Sequence, residues 1–200
     1  MVKKILGSQR FTTASLILIP AAVGINFIGK SLAGILKLPL WLDSIGTVLA
    51  SMLAGPVIGA LSGAINNIIY GLTMDPIAFV YAITSVAIGL TVGIMTHRGW
   101  VANLWQALLA GVIVAAVAAV VSTPLNIGFW KGQTGNVWGD ALYALLIAKK
   151  NPVWLASFLD ELLVDLPDKI ATVVISFGIF KSLPPRLTVL YDNKNQTDKL

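Results

Sequence analysis

Long apolar runs alternate along the chain with short polar or turn-forming breaks, and most of the runs are close to the length of a bilayer-crossing helix. About 20 helical residues cross ~30 Å of hydrocarbon, and the pattern predicts helices over 11–29, 44–54, 56–71, 77–96, 104–121 and 167–183. Pro20 removes a backbone donor inside the first of these and predicts a kink. Only Gly55-Pro56 separates the second helix from the third; both are short for a full span and are expected to tilt or lean on flanking loops. Asp43 stands where the second helix needs an N-cap. Ser122-Thr123-Pro124 is expected to stop the fifth helix, and Asp165 and Pro167 to cap and open the last one. Between them, 124–165 reads as a long structured loop outside the membrane. Its apolar stretches at 141–148 and 153–164 predict a lid with short interfacial helices.

Composition turns this pattern into a class. The 200 residues are 56% hydrophobic and 12% charged, with a mean hydropathy of +0.84, whereas soluble domains are roughly 25% charged. The expectation is an all-α integral membrane protein: a six-transmembrane-helix bundle forming a single domain over 1–200, with 184–200 as a cytoplasmic tail. With no cysteine and the single histidine His97, disulfides, thiol catalysis and histidine metal clusters have no material, so no metal site and no covalently held cofactor is expected. The formal charge of +5 is scattered around apolar spans, which points to topology and away from nucleic acid. The basic start followed by an apolar run resembles a signal peptide but reads as a retained first helix. With six spans, Lys3, Lys4, Arg10, Arg98, Lys181, Arg186, Lys194 and Lys199 share the side of the termini, against Lys30, Lys37, Lys131, Lys149 and Lys150 opposite. A multi-pass protein of the prokaryotic cell membrane with both termini cytoplasmic is therefore expected, with 30–42, 72–76 and 124–165 outside.

Polar residues at membrane depth are expensive and mark cavities or partners. Along the third helix each residue turns ~100°, which puts Gly55, Gly59, Gly63, Asn66 and Tyr70 on one face, polar at its outer end. An outer pocket with aromatic walls and a few polar groups is expected from Trp41, Asp43, Asn66, Asn67, Tyr70, Asp75, Tyr81, Asn126, Trp130, Trp138, Asp160 and Glu161. The plainer alternative makes the tryptophans an interfacial belt and the asparagines interhelical hydrogen bonds. On the last helix, Asp165, Asp168, Lys169, Thr172 and Ser176 share a face, with Asp165 and Lys169 spaced as an ion pair. Gly55, Gly59 and Gly63, and on the first helix Ala14, Pro20, Ala21 and Gly24, suit close helix contact, within the bundle or with another membrane protein. The stretch GALSG puts its serine one place late for a nucleophile elbow, and no Walker A motif occurs, so the chain is expected not to be an enzyme.

The turn LAGPVIGALSGAINNIIYG, the last helix DLPDKIATVVISFGIFKSLP, the basic amino end and the six-helix pattern together resemble the substrate-binding S components of energy-coupling factor (ECF) vitamin transporters, over roughly 10–186. The resemblance implies a high-affinity vitamin binder, open to the outside, that holds ligand with the loops after its first, third and fifth helices and the outer ends of the last three. It further implies a transmembrane coupling subunit and two cytoplasmic ATPases as partners, the ATPases driving import. Such proteins commonly carry small residues four apart on the first helix for docking. Here Ala14 is followed by Leu18, and the nearest substitutes are Pro20 with Gly24 and Ala22 with Asn26. The stretch LPLWLDSIGT is most similar to the cobalamin branch, so cobalamin is the expected substrate. Pyridoxine, pantothenate, folate, thiamine or its precursor, and riboflavin stand as alternatives. A membrane sensor that binds ligand without transporting it is the alternative from another class.

Overall fold

The computed structural model describes residues 12–191, which form eight α-helices with no strand among the described residues. The basic amino end and the polar tail beyond 191, including Lys3, Lys4, Arg10, Lys194 and Lys199 of the charge count, lie outside them. In chain order the helices are α1 (Thr13–Ile35), α2 (Ile45–Ala54), α3 (Pro56–Thr73), α4 (Ala82–His97), α5 (Leu104–Trp130), α6 (Val137–Ala148), α7 (Val153–Ser182) and the single turn α8 (Pro185–Thr188). By length and apolarity, α1 and α5 can each cross a membrane.

The short α2 is the centre of the fold. It packs against α1, α3, α4 and α7, and every residue from Ile45 to Met52 is buried. A helix apolar on all sides must be enclosed, and ten residues suffice here because the other helices surround it. Its first amides are not satisfied by Asp43. Ser44 is the N-cap residue and makes no side-chain cap; instead Asn26 of α1, fully buried, accepts from Gly46 N at 2.7 Å and Thr47 N at 3.2 Å and donates to Thr47 Oγ1 at 2.9 Å. The capping oxygen thus comes from a neighbouring helix, which locks α1 to α2. At the other end Gly55 takes φ 86°, a left-handed value that favours glycine, and Pro56 opens α3 at its first position.

Three helices outrun their expected ends: α1 runs on from 29 to Ile35, and α5 and α7 extend further still. α5 continues through Pro124 to Trp130, and α7 starts at Val153 and carries Pro167 in its interior. Neither Ser122-Thr123-Pro124 nor Asp165 acts as a boundary, because in apolar surroundings an ended helix would expose carbonyls with no water to satisfy them. At the α5 proline, Thr123 Oγ1 donates to Ala119 O at 2.6 Å. The region expected as a loop over 124–165 is consequently helical for most of its length, with only 131–136 and 149–152 joining α5, α6 and α7. α5 lies along α7, and its buried Ala107, Ala110, Val114 and Ala118 meet Val173 and Phe177 in a core shared with Val48, Met52, Ile88 and Val92. Outward the bundle is apolar: Ile17, Ile28, Leu109, Ile113 and Val120 are exposed.

Candidate functional site

Strong tertiary clamps gather polar side chains at one end of the bundle. The first holds the connection 36–44. Asp168, wholly buried on α7, accepts from Trp41 N at 3.0 Å and Leu42 N at 2.8 Å through Oδ1, while Lys169 Nζ donates to its Oδ2 at 2.6 Å. Lys169 also faces Asp165 at 3.5 Å and Asp43 at 3.9 Å. One ammonium group therefore organises three carboxylates.

The second clamp ties α4, α5 and α7. Tyr81, at the start of α4, donates its hydroxyl to Asn126 Oδ1 at 2.6 Å, and Asn126 Nδ2 donates to Glu161 Oε2 at 2.7 Å. Thr84 and Ser122 pair through their hydroxyls at 3.0 Å. Asn67 of α3 donates to Ser85 Oγ and to the carbonyl of Tyr81. The third clamp fixes the turn 131–136: Asp140 Oδ1 accepts from Thr134 N and Gly135 N, and Thr134 Oγ1 donates to Asp160 Oδ1 at 2.9 Å.

Between the clamps lies a cavity of about 260 Å³. Its wall takes Lys30 from α1, Trp41 and Asp43 from 36–44, Asn67 from α3, and Asp75, Ile77 and Ala78 from the connection to α4. Tyr81, Thr84, Ser85 and Ile88 face it from α4, Ser122 from α5, Thr134 and Gly135 from the turn, and Glu161, Asp165 and Lys169 from α7. These positions meet because the late part of α1, α3 and α5 and the early part of α2, α4 and α7 lie at the same end of an antiparallel bundle.

Of the residues expected to bind substrate, Trp41, Asp43, Asn67, Asp75, Tyr81 and Glu161 line this cavity. Asn126 and Asp160 stand behind it and position Tyr81, Glu161 and Thr134. Asn66 is buried but outside the wall, and Tyr70 packs on Phe27 with Lys30 Nζ 4.0 Å above its ring. Trp130 lies outside the wall, partly buried. Trp138 is 65% exposed on α6 and does not fold over the cavity, because α6 turns its other side to α7. Asp165 and Lys169, expected as an ion pair, prove also to be cavity residues, and Lys30, Ser122 and Thr134 join them without a sequence signal of their own.

The small residues divide into two groups. Gly59 and Gly63 are buried within the bundle: a methyl group on Gly59 would strike Ser51, and one on Gly63 would come 2.9 Å from Ser85. Gly55 is consumed by its turn. Of the two uses open to these glycines, close contact within the bundle is the one they serve, not docking of a partner, since α2 and α4 already occupy the approach that Gly59 and Gly63 allow. On α1, Pro20, Ala21 and Gly24 are exposed and Ala14 is half-buried. Comparison of the chain with protein-family models, with curated proteins and with solved structures finds no match in any of the three.

Proposed function

We propose that the chain is the substrate-binding S component of an ECF-type importer, a six-span membrane protein that captures a small vitamin outside the cell. The observation that carries the reading is the partly open cavity, lined by charged and polar side chains among apolar ones, at one end of an otherwise apolar helical bundle, with wall residues drawn from α1, α3, α4, α5 and α7. That end is the one expected outside from the distribution of basic residues. The resemblance of the α2–α3 turn and of α7 to S components supports the same reading.

Size bears on the substrate. A water molecule occupies roughly 30 Å³ of liquid, so about 260 Å³ corresponds to roughly nine waters, or about a dozen bonded non-hydrogen atoms at protein-like packing density. Vitamins of the pyridoxine or thiamine-precursor size fit the cavity as it stands. A corrinoid exceeds it several-fold and would need 36–44 and α6 to swing away, so the smaller ligands are preferred to cobalamin.

Two measurements test the proposal. Small molecules retained by the purified chain are extracted and identified by mass spectrometry, and uptake of the identified compound is followed in cells with and without this chain. The expected result is a retained water-soluble vitamin whose uptake needs the chain, ATP, a coupling subunit and two ATPases that co-purify with it. Binding without any chain-dependent uptake would instead favour a sensor.

A further inference from the structure

The cavity wall carries four carboxylates, Asp43, Asp75, Glu161 and Asp165, against two ammonium groups, Lys30 and Lys169. Lys169 does not balance this excess. Its shortest contact, at 2.6 Å, is to Asp168, which lies behind the wall and is itself fully buried. Asp165 and Asp43 are more distant, at 3.5 and 3.9 Å. Lys30 is drawn over the Tyr70 ring.

The uncompensated charge is concentrated on α7, where Glu161 and Asp165 stand one turn apart facing the same space. Asp165 is only 2% exposed, and its Oδ2 is buried without a hydrogen-bond partner. A carboxylate oxygen in that condition is costly; a donor arriving from the cavity removes the cost, as does a proton on the carboxyl itself. Asn126 Nδ2, behind the wall, donates to Glu161 Oε2 at 2.7 Å and so fixes the Glu161 carboxylate in the wall. Trp41, also in the wall, brings an aromatic ring to the cavity, a second feature attractive to positive charge.

We infer that the group recognised in this cavity is an organic cation, an ammonium or protonated amino-heterocycle, held between the carboxylates of Glu161 and Asp165. The inference rests on the capture reading above and narrows it to a substrate class: cationic water-soluble vitamins or precursors, in preference to neutral or anionic ones. Glu161 and Asp165 are then the specificity-determining pair, while Asn67 contacts ligand whatever its charge.

The test uses the full purified chain and a panel of probes: thiamine, pyridoxamine, its neutral counterpart pyridoxine, and the anion pantothenate. Binding is followed by calorimetry. The expected result is saturable binding confined to the cationic members, with any pyridoxamine affinity at least tenfold above that of pyridoxine, as loss of a charge-assisted hydrogen bond predicts. Asp165→Asn and Glu161→Gln should each weaken the bound cation about tenfold or more. Should D165N fail to fold, E161Q and the matched probes on the unaltered chain carry the comparison. Binding of pyridoxine or pantothenate as tight as that of the cations overturns the inference. So does an affinity unchanged in E161Q and D165N but weakened by Asn67→Ala, which leaves the capture reading standing. No saturable binding by any probe overturns the inference, and the retained-molecule and uptake measurements then decide the capture reading.

Discussion

Asp168 offers the sharpest test of how the cavity is built. Its carboxylate accepts from Trp41 N, Leu42 N and Lys169 Nζ at 2.6–3.0 Å, and it is wholly buried. Hydrogen bonds to a charged partner contribute about 1.5–3 kcal/mol each, but removing the carboxylate also removes its own desolvation cost. The net cost of breaking a buried pair from one side is about 3–5 kcal/mol. For a chain of this size 1 kcal/mol moves the unfolding midpoint by roughly 2–4 °C, so Asp168→Ala should lower it by about 6–20 °C. Leu42 holds φ at 49°, a left-handed conformation that costs a non-glycine residue roughly 1–2 kcal/mol. Without the clamp, 36–44 relaxes and carries Trp41 and Asp43 off the cavity, so ligand affinity falls together with stability.

The companion variant sets the sign of the charge argument. Lys169→Met leaves Asp43, Asp165 and Asp168 facing one another with no counter-charge, so it should cost at least as much as D168A. The double change D168A with K169M should cost less than the two singles added, because each alone strands the other's charge. Thermal unfolding of the purified chain in detergent, read by intrinsic fluorescence, measures all four proteins. A D168A midpoint within about 2 °C of the unaltered chain, or strict additivity in the double variant, would refute the reasoning.

Two further outcomes are expected. Asn67→Ala should weaken ligand binding with the bundle intact, whereas Trp138→Ala, on the exposed side of α6, should leave affinity unchanged; titration of both variants checks the boundary of the site. Gly59→Ala should cost about 1–3 kcal/mol of stability through overpacking against Ser51, and Gly24→Ala, with open space around it, should cost nothing; equal midpoints for the two would contradict the packing described.

How much of this was legible follows from where the governing partner sits in the chain. The Gly55-Pro56 break falls where it was read, because a left-handed φ and a helix-opening proline are demands made by adjacent residues. The Asp165–Lys169 pair was legible for the same reason, being one turn apart. Asp43 was misread as a cap because the true donor of the capping oxygen, Asn26, lies about five helical turns earlier in the chain on α1. Pro124 and Pro167 read as boundaries in the sequence, yet both helices run through them with the proline on the exposed side, held by the long packing of α5 against α7. Composition groups the outer tryptophans with the site, but which of them face the cavity depends on distant partners: Trp41 is brought to the wall by the Asp168 clamp on its backbone, whereas Trp138 lies on the exposed side of α6.

The same reasoning explains why α7 carries so many buried polar residues. Ser157, Asp160, Glu161, Asp165, Asp168, Lys169, Thr172 and Ser176 are all enclosed, a costly stripe for a helix in apolar surroundings. Several of them hold another element in place: Asp160 the 131–136 turn through Thr134, Asp168 the 36–44 connection, and Ser176 the start of α2 by donating to Ile45 O at 2.9 Å. Glu161, Asp165 and Lys169 face the cavity. The helix is thus both the frame to which the wall segments are fastened and the source of the charges inside. A frame of this kind ties ligand affinity to bundle stability at the fastening residues and separates the two at Glu161 and Asp165. Substitutions at Asp160, Asp168 and Ser176 should move both quantities together, whereas those at the cavity carboxylates should move affinity by far the more.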